Sequence, residues 1–427
     1  MKNTDTLTEE AIRLATQWQN RANELQTPQE KTRHRKFGKL FTSPKDKVIL
    51  TQLIDQSFRT ANSRRVADQI HYLLTAYGIP SFFSLPEKIL MLLFIHVGRY
   101  LPRITVPRII KKMRQNSSHM IIPGEREVLE SFLHKRRRQG IKTNINHIGE
   151  EVLGEEEAAS RLDLYLNDLR NPAVEHISIK ISTIFSQIHP LAFDHSVNIL
   201  QKRLSQLYRT AAETEFVRQD GTRVQKFVHL DMEAYRDLAI TAEAFIRTLD
   251  QAEFKNYTAG MALQAYLPDS YHILQEITAW ARKRVDSGGS PVKIRIVKGA
   301  NMEMEQIEAA VFDWPLAPFD SKVETDANWK RMVDFGMQPE NIHAVRLGIA
   351  SHNLFDIAYA YLRARENRVT DCFTFEMIEG MANHVRRTVQ ETGQEMVVYA
   401  PVATRNQFIH AIAYLIRRLD ENTGPEN

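Results

Sequence analysis

The chain has 427 residues, of which 43% are hydrophobic and 25% charged, with a formal net charge of +4. That length fits a large barrel plus an accessory region, and the composition is ordinary for a soluble globular enzyme. The charge is too small for this size to call for nucleic acid. A single cysteine, Cys372, excludes an internal disulfide and a cysteine-based metal site, and points to a reducing, cytoplasmic compartment.

Residues 1–140 read as helical. Glu9–Leu25, Lys47–Asp55, Arg64–Tyr77 and Pro86–Tyr100 carry apolar residues at helical spacing, punctuated by Pro80, Pro86, Pro102, Pro107 and Pro123. The start of the chain lacks the apolar core of a signal peptide. The most apolar stretch, Ile89–Val97, is far shorter than the roughly twenty residues of a spanning helix, so it reads as a buried helix. Basic residues concentrate in this part: Lys31 to Lys39, Arg99 to Arg114 and Lys135 to Arg138. They read as solvated helix faces, with an anionic membrane surface as the alternative partner.

From about Lys142 the pattern changes to short β-rich runs alternating with amphipathic stretches. The expected strands are Thr143–Ile148, His176–Ile181, Lys226–Leu230, Gly260–Ala265, Val292–Val297, Ala344–Ala350, Asp371–Phe375 and Met396–Tyr399. Helical stretches such as Glu155–Leu169, Ser196–Ala212, Leu238–Leu249, Tyr271–Arg284 and Leu354–Arg365 separate them. Eight strand-then-helix units predict an α/β fold, a (β/α)8 TIM-type barrel over residues 141–427, preceded by the helical part. Cys372 falls inside the seventh expected strand and reads as a packed core residue.

In such a barrel the C-terminal strand ends face one pocket. The run Val292–Val297 ends in Lys298-Gly299-Ala300-Asn301, where Arg295 and Lys298 favour an anionic or electron-rich ligand and Gly299 permits close backbone approach. The other ends present Lys180, Asp231, Gln264, His352 with Asn353, Glu376 and Tyr399. So many polar groups must pair with each other or with a large polar ligand. Near the C-terminus, Thr404 can cap a helix to about Asn422 with an apolar stripe of Ile409, Ile412, Ile416 and Leu419. Beside the stripe, Arg417 and Arg418 are suited to holding a carboxylate, or else form surface salt bridges with Glu421. A Rossmann glycine fingerprint, a Walker loop, a nucleophile elbow and a His-Glu-x-x-His sequence are all absent.

The order and spacing of Ser178-Ile-Lys180, Leu230-Asp231, Leu263-Gln-Ala-Tyr266, Arg295-Ile-Val-Lys-Gly-Ala300, Thr325-Asp326, Ser351-His-Asn353, Gly380-Met381, Tyr399-Ala-Pro-Val402 and Tyr414-Leu-Ile-Arg-Arg418 resemble the proline dehydrogenase domain of bacterial bifunctional proline utilisation A proteins. The resemblance runs from about Asn144 to the C-terminus, and residues 1–140 more loosely resemble the arm and α-domain of those proteins. It implies a distorted (β/α)8 barrel with FAD at its mouth that oxidises L-proline to Δ1-pyrroline-5-carboxylate, with electrons passed to a membrane quinone. A peripheral contact with the inner face of the cell membrane would accompany that transfer. The family pattern implies that Arg417 and Arg418, helped by Lys180, clamp the proline carboxylate while Tyr399 packs on the ring. Asp231 would organise Lys180 and neighbouring groups near the reacting atoms and border the cofactor, and Arg295 would lie beside the flavin N5. Gln264, Val297, Lys298, Gly299, Ala300, Thr325, His352, Asn353 and Glu421 would serve the cofactor pocket. Asn301-Met302 stands where many members have Tyr-Trp, and Trp329 where Tyr is frequent. The sequence ends where bifunctional relatives continue into an aldehyde dehydrogenase domain, so the expectation is a fragment of such a protein. A Schiff-base lyase using Lys180 or Lys298, and a non-enzymatic scaffold built on the basic helices, are the competing readings.

Overall fold

A computed structural model of the chain describes residues 4–32, 35, 43–58, 60, 62–149, 152–408 and 411. All eight expected β-rich runs are strands: β1 (Lys142–His147), β2 (His176–Lys180), β3 (Phe227–Asp231), β4 (Gly260–Gln264), β5 (Val292–Val297), β6 (Val345–Ala350), β7 (Phe373–Ile378) and β8 (Met396–Ala403). Each pairs in parallel with the next in sequence, and β8 closes on β1 with Val397 opposite Lys142 and Val402 opposite His147. The result is the expected (β/α)8 barrel.

Strand alternation sends successive side chains to opposite faces, so each strand carries an inner and an outer set. The apolar set (Ile177, Ile179, Val228, Leu230, Met261, Leu263, Ile294, Ile296, Leu347 and Ile349) is fully buried. The other set contains Ser178, Asp231, Arg295, Glu376 and Tyr399, which reach one another from β2, β3, β5, β7 and β8. Strands that are not neighbours in the sheet meet in this way only across the barrel interior. The polar set therefore faces inward, and the apolar set faces the surrounding helices.

Two glycines make room for this interior. A Cβ on Gly348 in β6 would lie 2.3 Å from Glu376 Oε1, and one on Gly260 in β4 would lie 2.5 Å from His229 Nδ1.

Contacts divide the chain into two units, Met1–Glu24 with Glu125–Val402, and Leu25–Gly124 with Ala403–Asn427. In the first, the N-terminal helix Thr4–Leu25 rests on the barrel's outer layer, with Trp18 against Tyr361 and Arg21 paired to Glu391 at 2.8 Å. The second has its own core of Phe58, Val66, Ala67, Ile70, Leu74, Phe94, Val106 and Phe408.

Three expectations need correction. The helix over Leu85–His96 buries Phe94, but Ile89, Leu90, Leu92, Leu93 and Val97 are 50, 53, 48, 57 and 56% exposed. A helix apolar on every side buries only the face that meets a neighbour, so high hydropathy did not ensure burial. Cys372 lies in a 3₁₀ turn, Thr370–Cys372, just before β7, and is only partly buried. An antiparallel hairpin, Glu215–Val217 with Arg223–Gln225, was not anticipated, because its two strands are only three residues each, too short to show a period. Among the described residues no helix is long and apolar enough to cross a membrane.

Gly348→Ala should destabilise the protein by about 1–3 kcal/mol through overpacking against Glu376. Gly154→Ala, where nothing lies within 4 Å of the added Cβ, should cost far less. Urea denaturation of the two variants checks this.

Candidate active site at the barrel mouth

Arg295 is the hub of the site. It is 4% exposed, and its Nε donates to Glu376 Oε2 at 2.5 Å while Nη1 donates to Asp231 Oδ1 at 2.7 Å. Glu376 also accepts Lys293 Nζ at 2.6 Å, and that ammonium donates to Thr374 Oγ1 at 2.7 Å. Two cations thus meet two carboxylates, and the buried cluster is formally neutral. Pairing of this kind is what lets charges persist in a low-dielectric interior.

Asp231 gathers a further set of donors. Tyr399 Oη donates to its Oδ2 at 2.7 Å, Ser178 Oγ to Oδ1 at 3.2 Å and Asn146 Nδ2 to Oδ2 at 3.3 Å. Arg295 also lies over the Tyr399 ring, 5.5 Å from its centroid. Lys180 takes a different partner from the one expected. Its Nζ donates to Glu233 Oε1 at 2.6 Å, whereas Asp231 organises Arg295 and Tyr399. Glu233 also accepts Ser182 Oγ at 3.0 Å, and its main-chain carbonyl accepts Gln264 Nε2 at 3.2 Å. Lys180 and Gln264 are therefore tied to one loop, just beyond β3.

The remaining expected residues do more local work. Lys298 bridges Asp326 at 2.6 Å and Asp356 at 2.7 Å. Burial opposes its charge, but the two carboxylates outweigh burial and push its pKa up. Such a lysine stays protonated, which weighs against its use as a Schiff-base nucleophile. Asn353 caps the helix Leu354–Glu366 by accepting from Phe355 N, and His352 Nε2 accepts from Ile378 N at 3.1 Å at the end of β7. Thr325 is buried in the helix Lys322–Gly336 and returns its hydroxyl to the Ser321 carbonyl at 3.3 Å. Gly299 has φ +127°, and a Cβ there would meet the Tyr266 ring at 2.3 Å, so packing within the protein requires glycine. Val297 is half-buried, and its carbonyl accepts from Ala265 N at 2.8 Å; Ala300 is exposed. Arg417, Arg418 and Glu421 lie outside the described residues, as does most of the helix expected to run from Thr404 to Asn422.

Sequence reasoning passed over Lys293, Glu233, Asn146 and Asp356. The first three were legible in principle. Lys293 and Arg295, and Asn144 and Asn146, are pairs two apart within β-runs, which places both members on the inner face, and Glu233 is an acid just past the C-terminal end of β3, where the loops open on the mouth. Asp356 gave no such signal, since an acid in the first turn of a helix usually serves the helix itself.

A sequence profile of the family described as proline dehydrogenase matches residues 129–427. This chain belongs to that family. The solved proline utilization A of Corynebacterium freiburgense shares 40% identity and a TM-score of 0.68, over 73% of this chain and 31% of that one. Proline utilization A of Bdellovibrio bacteriovorus, solved after inactivation by N-propargylglycine, shares 26% identity and a TM-score of 0.78, over 98% of this chain and 42% of that one. The Bradyrhizobium japonicum protein, at 18% identity and a TM-score of 0.69, is similar in fold alone. The chain thus spans between about a third and somewhat under half the length of these proteins. No curated protein matches the chain significantly.

The charge cluster makes stability depend on pH. Burial favours the neutral form of Glu376, yet Arg295 and Lys293 outweigh it and hold its pKa well below the ordinary 4.5. Burial, reinforced by the same two cations, holds His176 and His229 well below the ordinary imidazole value of 6.5. In both cases the unfolded chain binds more protons, so these contributions are complete above the ordinary values and are lost as pH falls. Urea midpoints should decline below pH 6.5, from the histidines, and again below pH 4.5, from Glu376. Glu376→Gln should lose about 3–5 kcal/mol at neutral pH, because it leaves Lys293 without its carboxylate and Arg295 with Asp231 alone. It should also flatten the lower limb of the curve.

Proposed function

We propose that this chain is an FAD-dependent proline dehydrogenase, oxidising L-proline to Δ1-pyrroline-5-carboxylate. The observation that carries this reading is the buried Arg295 at the mouth of a family-matched barrel. Among the described residues its Nη2 has no hydrogen-bond partner, and neither does the buried Oε1 of Gln264. Orphaned donors and acceptors at a strand-end pocket suit a large polar cofactor with both kinds of group, which is what an isoalloxazine ring offers. When bound, FAD would supply the hydride acceptor.

The chain's own residues would bind and orient. Arg295, fixed by Asp231 and Glu376, would place a permanent positive charge beside the cofactor's reactive edge, where negative charge develops. Gln264, Val297, Lys298, Gly299, Ala300, Thr325, His352, Asn353 and Glu421 would shape the rest of that pocket. Arg417 and Arg418 would clamp the proline carboxylate with Lys180, which Glu233 holds in place, and Tyr399, anchored by Asp231, would pack on the ring. Proline loses a hydride from C5 and a proton from its amine, and a C5=N double bond forms. The residues supply orientation and electrostatic support for that change. The paired states of Lys298 and Lys180 support this reading over a Schiff-base lyase. Electrons would pass to a membrane quinone from a cytoplasmic protein in peripheral contact with the membrane, and an aldehyde dehydrogenase domain would belong to the longer protein.

Protein purified or reconstituted with FAD should absorb in the visible, bleach on anaerobic addition of L-proline, and recover colour with a soluble quinone. A protein that stays colourless and refuses added FAD sinks the reading. Arg417→Ala or Arg418→Ala should raise KM for proline by roughly tenfold to a hundredfold with FAD still bound. Steady-state kinetics alongside flavin content tests that pair.

A further inference from the structure

The barrel has a second polar recess, at the opposite end from the mouth. A cleft of about 320 Å³ opens at the N-terminal ends of β1, β2 and β3. Its walls come from the helix Arg126–Arg138, the start of β1, the segment leading into β2 and the hairpin that precedes β3. That volume matches the lower range of small-molecule sites.

The charges lining the cleft are unequally satisfied. Arg218 is paired with Glu175 at 2.9 Å and Lys142 with Glu395 at 2.6 Å, while the Asp220 carboxylate accepts from Thr222 N at 2.9 Å within its own turn. Arg137 has no carboxylate partner among the described residues. Its guanidinium lies 4.4 Å from the centroid of the buried Phe216 ring, and Nη2 donates to the Ala173 carbonyl at 3.1 Å. Burial lowers its pKa, and Glu175 opposes that only in part. A guanidinium has five N–H donors, so a planar acceptor is still wanted here. A second lining group points the same way. Thr143 is only 8% exposed, and its buried Oγ1 has no hydrogen-bond partner among the described residues.

We propose that this cleft binds a small oxyanion, with the Arg137 guanidinium as counter-ion and the Thr143 hydroxyl as a hydrogen-bond donor. The Phe216 ring and the Ala173 carbonyl both engage the guanidinium, so the fork is held in place before the ligand arrives. Both a carboxylate and a phosphate carry the required oxygen pair. The site is remote from Arg295 and is independent of the reaction assigned to the mouth.

The test is calorimetric titration of the whole chain at constant ionic strength with inorganic phosphate, with glutarate, and with chloride as control. Saturable binding of phosphate alone identifies a phosphate site, of glutarate alone a carboxylate site, and of both an unselective oxyanion site. In each case Arg137→Met should weaken binding at least about tenfold and Arg137→Lys less. Thr143→Val, nearly isosteric and therefore safe for folding, should weaken it severalfold. Binding no stronger than that of chloride overturns the proposal. So does saturable binding that both Arg137→Met and Thr143→Val leave unchanged.

Discussion

Neutralising the Arg295 guanidinium inside a closed barrel is the constraint on which the rest of this structure depends. An unpaired charge at that depth would be prohibitive, so the strands facing Arg295 must supply carboxylates at matching height. Asp231 and Glu376 do so from β3 and β7, and Lys293 balances the second carboxylate of the set. A buried ion cluster of this kind adds little net stability compared with an apolar core of the same volume. What it does provide is a fixed array of donors whose positions are set by strand register.

The cluster shapes the sequence around it. β6 has glycine at position 348 because the Glu376 carboxylate occupies the space a Cβ would need, and Gly260 similarly yields to His229. Tyr399 is held by the same aspartate that holds Arg295, so groups from β5 and β8 share one anchor. A change at Asp231 would therefore disturb both at once. Because the interior is polar, hydrophobic stabilisation of the barrel falls to the outer faces of its strands, where the Ile, Leu, Val and Met side chains meet the surrounding helices.

The two ends of the barrel solve the same electrostatic problem differently. At the mouth Lys180, Arg295 and Lys298 are each engaged by a carboxylate, and the atoms left over among the described residues include a guanidinium Nη2 and an amide oxygen. At the base Glu175 and Glu395 are committed to Arg218 and Lys142, Asp220 accepts from Thr222 N, and Arg137 rests on an aromatic ring instead. An aromatic face tolerates a cation without quenching it, which preserves the charge for another partner.

Alternation and strand-end polarity were enough to locate all eight strands, to infer closure into a barrel, and to single out Lys180, Asp231, Gln264, Arg295, Glu376 and Tyr399, because period and residue type are local properties of the chain. Which of these touch is not local. That Lys180 meets Glu233 while Asp231 meets Arg295 depends on stagger between strands and on loop length beyond β3, and neither has a signature in residue order. The same reason explains Gly299, whose need for glycine comes from Tyr266 more than thirty positions away, and the exposure of the Leu85–His96 helix, whose burial depended on how much neighbouring surface the fold supplied. The amino-acid sequence determined the elements and the chemical inventory. Only the tertiary structure decided the pairing, because pairing is set by distances across the barrel and not along the chain.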